Sequence, residues 1–158
     1  MLRMNVKAVG LDRDTLLPVV ILTDDSEESY VPLVIGPAEA NAIAVVLQNM
    51  ETSRPLTHDL LLSSVLTLGG KVDKVVITDL ADDVYYAEVC LVQQGKTLRI
   101  DARPSDAIAL ALRAGAPIFV NEKITPYAMA VPGEEDPEME QFRSFLKDLS
   151  PDDFRKGN

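Results

Sequence analysis

The sequence is organised around Asp101–Val120, which reads Asp-Ala-Arg-Pro-Ser-Asp-Ala-Ile-Ala-Leu-Ala-Leu-Arg-Ala-Gly-Ala-Pro-Ile-Phe-Val. A strand that ends at Asp101 is expected to lead into a helix that begins at Pro104, because proline has a helical φ and its missing N–H is not needed there. Every residue in 107–112 is apolar, so this helix has no polar face and should be buried. Gly115 is expected to end the helix in a left-handed conformation.

A second helix begins in the same way. Pro37-Ala38-Glu39-Ala40 has the same order of residue types as Pro104-Ser105-Asp106-Ala107, and an apolar, alanine-rich segment follows each of them. An acid in the first turn stabilises a helix because it meets the positive end of the helix dipole. This structural role at a helix start accounts for Glu39 and Asp106 as readily as a role in a functional site does.

The remaining periodicity predicts an α+β fold with a mixed, largely antiparallel sheet, buried Ala-rich helices and a short C-terminal amphipathic helix. The predicted strands are Met4–Leu11, Pro18–Thr23, Tyr30–Ile35, Val72–Leu80, Val84–Gln93, Lys96–Asp101 and Ile118–Val120. The other predicted helices are Pro37–Leu47 and His58–Leu68, and the second of these should dock on the sheet through Leu61, Val65 and Leu68.

The chain changes character after residue 120. We predict one domain over residues 1–120, an acidic Pro/Gly linker over 121–136 and a helical tail over 137–158. One face of the tail carries the apolar residues Met139, Phe142, Phe145, Leu146 and Leu149. This face is expected to pack on its own domain or on a dimer mate rather than on a foreign partner.

Composition restricts the class of protein. The formal net charge is −10 and there is no tryptophan, which argues against a plain nucleic-acid-binding module, because such modules use clusters of Lys and Arg with aromatic platforms. No apolar run approaches the roughly 20 residues of a membrane span, and the first residues lack the apolar core of a signal peptide. With one cysteine, Cys90, the chain is expected to be cytoplasmic.

Few residues of the sequence form a recognised catalytic or metal-binding pattern. The sequence has no Gly-rich phosphate loop, no Cys-x-x-Cys motif and a single histidine, so zinc sites, nucleotide kinases and serine hydrolases are poorly supported. What remains is a polar set at the predicted helix starts and strand ends, namely Glu39, Arg54, His58, Asp59, Asp79, Asp101, Arg103 and Asp106.

Carboxylates from this set could form a metal site. Glu39, Asp101 and Asp106 are the candidate ligands, and Mg²⁺ or Mn²⁺ is the candidate metal because both prefer oxygen ligands. Arg54 or Arg103 could hold a substrate phosphate. Structural roles remain open, because Asp59 also suits a first helical turn and a salt bridge between Asp101 and Arg103 would explain both residues.

Three blocks of the sequence resemble the hallmark blocks of the bifunctional nuclease domain family. They read IGPAEANAI at 35–43, RPLTHDL at 54–60 and DARPSDAIALA at 101–111. The resemblance extends over about residues 4–120, and the tail is similar to that of bacterial members. It implies a compact α+β homodimer that cleaves both DNA and RNA, with hallmark polar positions at Glu39, His58, Asp59, Asp101, Arg103, Ser105 and Asp106.

Two classes of function follow. In the first, the chain is a metal-assisted nuclease in which His58, Asp59, Asp101, Arg103 and Asp106 form the catalytic set, with His58 as base or ligand. Nucleic acid is then the substrate. In the second, the domain is a non-enzymatic homodimer with a regulatory or interaction role, as the absence of a recognised catalytic spacing and the acidic charge favour.

Overall fold

A computed structural model describes residues 1–124 and confirms the α+β fold. The strands are β1 (Leu2–Leu11), β2 (Pro18–Thr23), β3 (Tyr30–Val34), β4 (Gly70–Ala81), β5 (Val84–Gln93), β6 (Lys96–Ala102) and β7 (Ile118–Val120). The helices are α1 (Pro37–Leu47), α2 (Thr57–Thr67) and α3 (Pro104–Ala114), and a 3-10 turn follows at Glu122–Ile124. The predicted C-terminal amphipathic helix lies outside the described residues.

The seven strands form one sheet in the order β3-β2-β1-β7-β4-β5-β6. All neighbouring strands are antiparallel except β4 and β7, which are parallel. The predicted mixed, largely antiparallel sheet is therefore confirmed. The short β7 joins the β1–β3 meander to the β4–β6 meander, and α3 makes the connection from β6 at the sheet edge to β7 at its centre.

α3 is the buried helix that its sequence predicts. Residues 107–111 are at most 2% exposed and belong to the main hydrophobic core. The helix packs against α1, α2, β4 and β5. Gly115 ends it with φ +64°, and the Ala116 N–H donates to the Ala111 carbonyl, so the predicted glycine stop is confirmed.

α2 docks less completely than its apolar pattern predicts. Leu62 and Val65 pack against the core, whereas Leu61 and Leu68 are exposed together with Leu60 and Leu66. The helix packs on α3 and β4, so a single stripe of its surface is covered. The edge strand β6 lies beyond that stripe and leaves an open apolar surface beside α2.

None of the helices within residues 1–124 combines the length and hydrophobicity needed to cross a lipid bilayer.

Candidate functional site

The starts of the three helices meet at one place on the domain. α3 packs against both α1 and α2, which brings together Glu39 from α1, His58 from α2, and Arg103 and Asp106 from the start of α3. We call these four side chains the polar cluster. Each of the three sequence blocks contributes at least one member, although the members are up to 67 positions apart along the chain.

Arg103 connects the cluster. Its Nε donates to Asp106 Oδ2 at 2.8 Å, and its Nη2 donates to Glu39 Oε1 at 2.7 Å. Asp106 Oδ1 lies 2.9 Å from His58 Nε2. A Cβ atom at Gly36 would overlap the Glu39 carboxylate, so the glycine before α1 leaves the space in which Glu39 reaches Arg103.

Glu39 and Asp106 lie in the first turns of α1 and α3, as the helix-dipole interpretation requires. Their hydrogen bonds go to Arg103 and His58, so both carboxylates also hold the cluster together. Burial raises the pKa of Asp106, but hydrogen bonds from Arg103 and His58 outweigh it and lower the pKa below its usual value. The same contacts, first with Asp106 and then with Glu39, raise the pKa of Arg103. Both groups are charged at neutral pH.

His58 is the buried residue of α2, with 7% of its surface exposed. Because an ionised carboxylate can only accept hydrogen bonds, the neutral ring that fits the short contact with Asp106 carries its proton on Nε2. Nδ1 is buried and has no hydrogen-bond partner within residues 1–124. An Asp–His pair of this kind fixes the ring and leaves a lone pair on the second nitrogen, which is the arrangement of a general base.

Two of the cavities beside the polar cluster are each lined by His58, Arg103 and Asp106 together, whereas a further cavity near β3 and the start of α3 is lined by Arg103 alone of the four. The first, which we call the α2–β6 cavity, has a volume of about 620 Å³ and lies among α2, α3 and β6. The second, the α1–α2 cavity, has a volume of about 490 Å³ and is reached from the starts of α1 and α2. A ligand in either cavity would contact the guanidinium group and the imidazole ring.

Asp59 has a structural environment. Its Oδ2 accepts the Leu56 N–H at 2.8 Å, and its Oδ1 accepts from Arg113 Nε at 2.6 Å. The hydrogen bond from Leu56 is the main cause that lowers its pKa; burial opposes it and Arg113 reinforces it. The structure therefore shows the first-turn role for Asp59. The side chain of the adjacent His58 points into the polar cluster instead.

Sequence reasoning missed Arg113. Its side chain is buried, and besides Asp59 it donates to the carbonyls of Ala42 and Ala109. It therefore ties α1, α2 and α3 together. A basic residue in the last turn of a helix is favourable through the helix dipole alone, and nothing local in the sequence indicates a buried partner 54 residues away.

Three other predicted residues lie outside the cluster. Asp101 is exposed on β6 and lines the α2–β6 cavity. Arg54 is exposed in the loop before α2 and lines neither of the two cavities. Asp79 pairs with Lys123. The alternative of a salt bridge between Asp101 and Arg103 is wrong, because the guanidinium group turns to Glu39 and Asp106 instead.

The predicted metal ligands do not form a metal site in this arrangement. Within residues 1–124 no three His, Cys, Asp or Glu side chains are grouped as a metal requires. Glu39 and Asp106 both hold Arg103, whose positive charge takes the position that a cation between them would need, and Asp101 stands apart. The donor set therefore does not fit Mg²⁺ or Mn²⁺.

The family follows from a comparison with known proteins. The model of the bifunctional nuclease domain matches residues 20–131. The chain belongs to the bifunctional nuclease domain family. All three sequence blocks lie within the matched range, and the fold brings one or more polar residues of each block into the cluster.

The chain is similar to a mycobacterial protein and to plant proteins. An uncharacterized protein of Mycobacterium tuberculosis strain H37Rv is 37% identical, and the match covers 95% of this chain and 97% of that protein. Bifunctional nuclease 1 of Oryza sativa subsp. indica is 28% identical over 67% of this chain, and bifunctional nuclease 2 of Arabidopsis thaliana is 27% identical over 66%. These matches cover 33% and 32% of the two plant proteins, so the chain corresponds to about a third of their length.

Proposed function

We propose that the polar cluster is the centre of a nuclease that hydrolyses phosphodiester bonds in DNA and RNA. The observation that carries the proposal is the position of the Asp–His pair and a carboxylate-held arginine between two open cavities. Membership in the bifunctional nuclease domain family and the names of the plant relatives supply the substrate class.

Arg103 suits the role of phosphate ligand. A guanidinium group has five N–H donors, and two of them are used on Asp106 and Glu39. The side chain is 64% exposed, so the other donors are open to a phosphate oxygen. Because two carboxylates already fix its orientation, the guanidinium group would lose little freedom when it binds the charge that develops on the phosphoryl group.

His58 suits the role of general base. With its Nε2–H donating to Asp106, the Nδ1 lone pair of His58 could accept a proton from the attacking water, and the Asp106 carboxylate would stabilise the imidazolium that forms. Nδ1 is shielded in the structure, so the role requires a small movement of the ring or of the α2 start when substrate binds. Hydrogen bonds of catalytic groups often tighten or form only in the complex with substrate.

Metal assistance remains a separate prediction. The donor set within residues 1–124 does not match the oxygen ligands that Mg²⁺ or Mn²⁺ needs. The acidic chain nevertheless repels nucleic acid at long range, so a divalent ion that accompanies the substrate would raise the apparent affinity. A cytoplasmic location belongs to the same proposal.

Cleavage of labelled single-stranded DNA and RNA by highly purified protein tests the proposed function. We expect activity that follows the protein peak through two orthogonal columns, on both substrates. Parallel reactions with EDTA, Mg²⁺ or Mn²⁺ test the metal prediction independently. Activity that separates from the protein peak, or none under any of these conditions, would contradict the nuclease assignment.

The sheet edges support a homodimer as a second proposal. Of the two edge strands, β3 carries Pro32, which cannot donate to a further strand, whereas β6 contains no proline. The apolar side chain of Leu98 is exposed on β6 and lines neither of the two cavities. This edge could pair with a second copy, and the non-enzymatic regulatory or interaction role would use the same contact.

The mass of the protein in solution tests the dimer. We expect multi-angle light scattering to give twice the chain mass of 17.3 kDa, and Leu98→Glu to shift the protein to the monomer because it places a charge on the apolar edge. A wild-type monomer at high micromolar concentration would contradict the proposal.

A further inference from the structure

We infer that the α2–β6 cavity receives an unpaired nucleobase of the substrate whose phosphate Arg103 holds. The inference rests on the proposed function and adds the mode of substrate recognition. It assigns a role to an exposed apolar surface that the catalytic proposal leaves unused.

The two ends of the cavity differ in chemistry. Polar side chains from the starts of α2 and α3, His58, Arg103 and Asp106, line one end, and Thr57 and Asp101 line the same cavity. Arg103 is the cation among them, and its N–H groups that are not used on Glu39 and Asp106 can hold an anion. The body of the cavity continues along α2 and the strands, and Leu61 and Ile100 line it. A ligand that fits both ends therefore has an anionic group joined to an apolar body.

A nucleotide combines an anionic group with an apolar body. Its phosphate carries the charge, and the faces of its base are apolar enough to pack on aliphatic side chains. The volume of about 620 Å³ lies within the range of roughly 300–1,000 Å³ typical of small-molecule pockets. A base in a duplex would first have to leave the stack, so the cavity favours single-stranded substrate.

The same lining predicts weak discrimination between bases. Ser64 is a polar side chain on the α2 wall of the cavity, and its hydroxyl already donates to the Leu60 carbonyl at 2.8 Å. The apolar walls offer packing but few hydrogen bonds with which to read a base edge. A pocket of this kind accepts bases of DNA and RNA alike.

Two matched substrates and two matched variants test the inference. The substrates are oligothymidylate and an oligomer of the same length made of tetrahydrofuran abasic units, which has the same phosphates but no bases. The variants are Leu61→Ser, at a 42% exposed residue that lines the cavity, and Leu66→Ser, at a 55% exposed residue of the same helix that does not line it.

We expect Leu61→Ser to raise KM for oligothymidylate about tenfold, because apolar leucine surface that the base would cover is lost, to leave kcat close to wild type, and to leave KM for the abasic oligomer unchanged. Leu66→Ser should match wild type on both substrates. Equal KM values of the wild type for the two substrates, or an equal effect of Leu61→Ser on both, would contradict base binding in the cavity. The nuclease assignment would not be affected by either result.

A binding measurement separates this inference from the proposed function. Oligothymidylate with one central 2-aminopurine should change its fluorescence when it binds the wild type, and Leu61→Ser should weaken that change. If the wild type cleaves nothing, the proposed function fails. The fluorescence change alone then shows whether the cavity binds a base. No change in emission with the wild type would overturn the cavity assignment.

Discussion

Replacement of Ala109 by aspartate is expected to unfold the domain. Ala109 is fully buried at the centre of α3 and belongs to the main core, where the helix packs on both neighbouring helices and on the sheet. A carboxylate there would have no described partner, and both its charge and its volume would have to be accommodated. Changes of this class cost more than about 4 kcal/mol, which is a large part of the stability of a domain of this size.

Thermal unfolding followed by circular dichroism tests this expectation. Ala38→Asp is the matched control, because Ala38 is exposed in the first turn of α1, where an acid is favourable. We expect Ala38→Asp to keep the wild-type Tm and Ala109→Asp to lose the cooperative transition or to express as insoluble protein. A cooperative Ala109→Asp protein with a wild-type Tm would show that α3 is not the centre of the core.

Loss of His58 is expected to reduce cleavage by about 10²–10⁴-fold in kcat/KM, the range found when a general acid or base is removed. The reason is the geometry of the pair, in which Asp106 fixes Nε2 and leaves Nδ1 as a proton acceptor. His58→Ala removes the ring. His58→Gln keeps a donor that can reach Asp106 but has no group that titrates near neutral pH.

The two variants distinguish a catalytic role of His58 from a structural one. If His58 acts as the base, both variants lose activity. If His58 only positions Asp106 and Arg103, His58→Gln restores activity close to wild type. Unfolding curves of all three proteins show whether the buried site tolerates the changes.

The elements of the fold could be predicted from the sequence because their signals are local. Pro37 and Pro104 mark helix starts, Gly115 marks a helix end, and the apolar run between the last two predicts burial. The contacts of α2 could not be predicted in the same way. Its leucines occur on several sides of the helix, and the pattern does not tell which stripe the rest of the fold covers.

The four residues of the polar cluster were among those that the sequence selected, but their connections could not be predicted. The resemblance and the carboxylate pattern both selected Glu39, His58, Arg103 and Asp106. The sequence alone could not show that Arg103 would lie between the two carboxylates, since that depends on how α1 packs against α3. For the same reason the predicted metal site, which needs the carboxylates to face each other, does not match the structure.

The comparison that tests the central claim most directly is the cleavage rate of Asp106→Asn against wild type under identical purification. Asp73→Asn is the matched control, because Asp73 is exposed on β4, lines neither cavity and loses the same charge. Since Asp106 holds both His58 and Arg103, we predict at least a hundredfold loss for Asp106→Asn, with a wild-type rate for Asp73→Asn. A folded Asp106→Asn protein that cleaves at the wild-type rate would contradict the claim that the polar cluster is the nuclease centre.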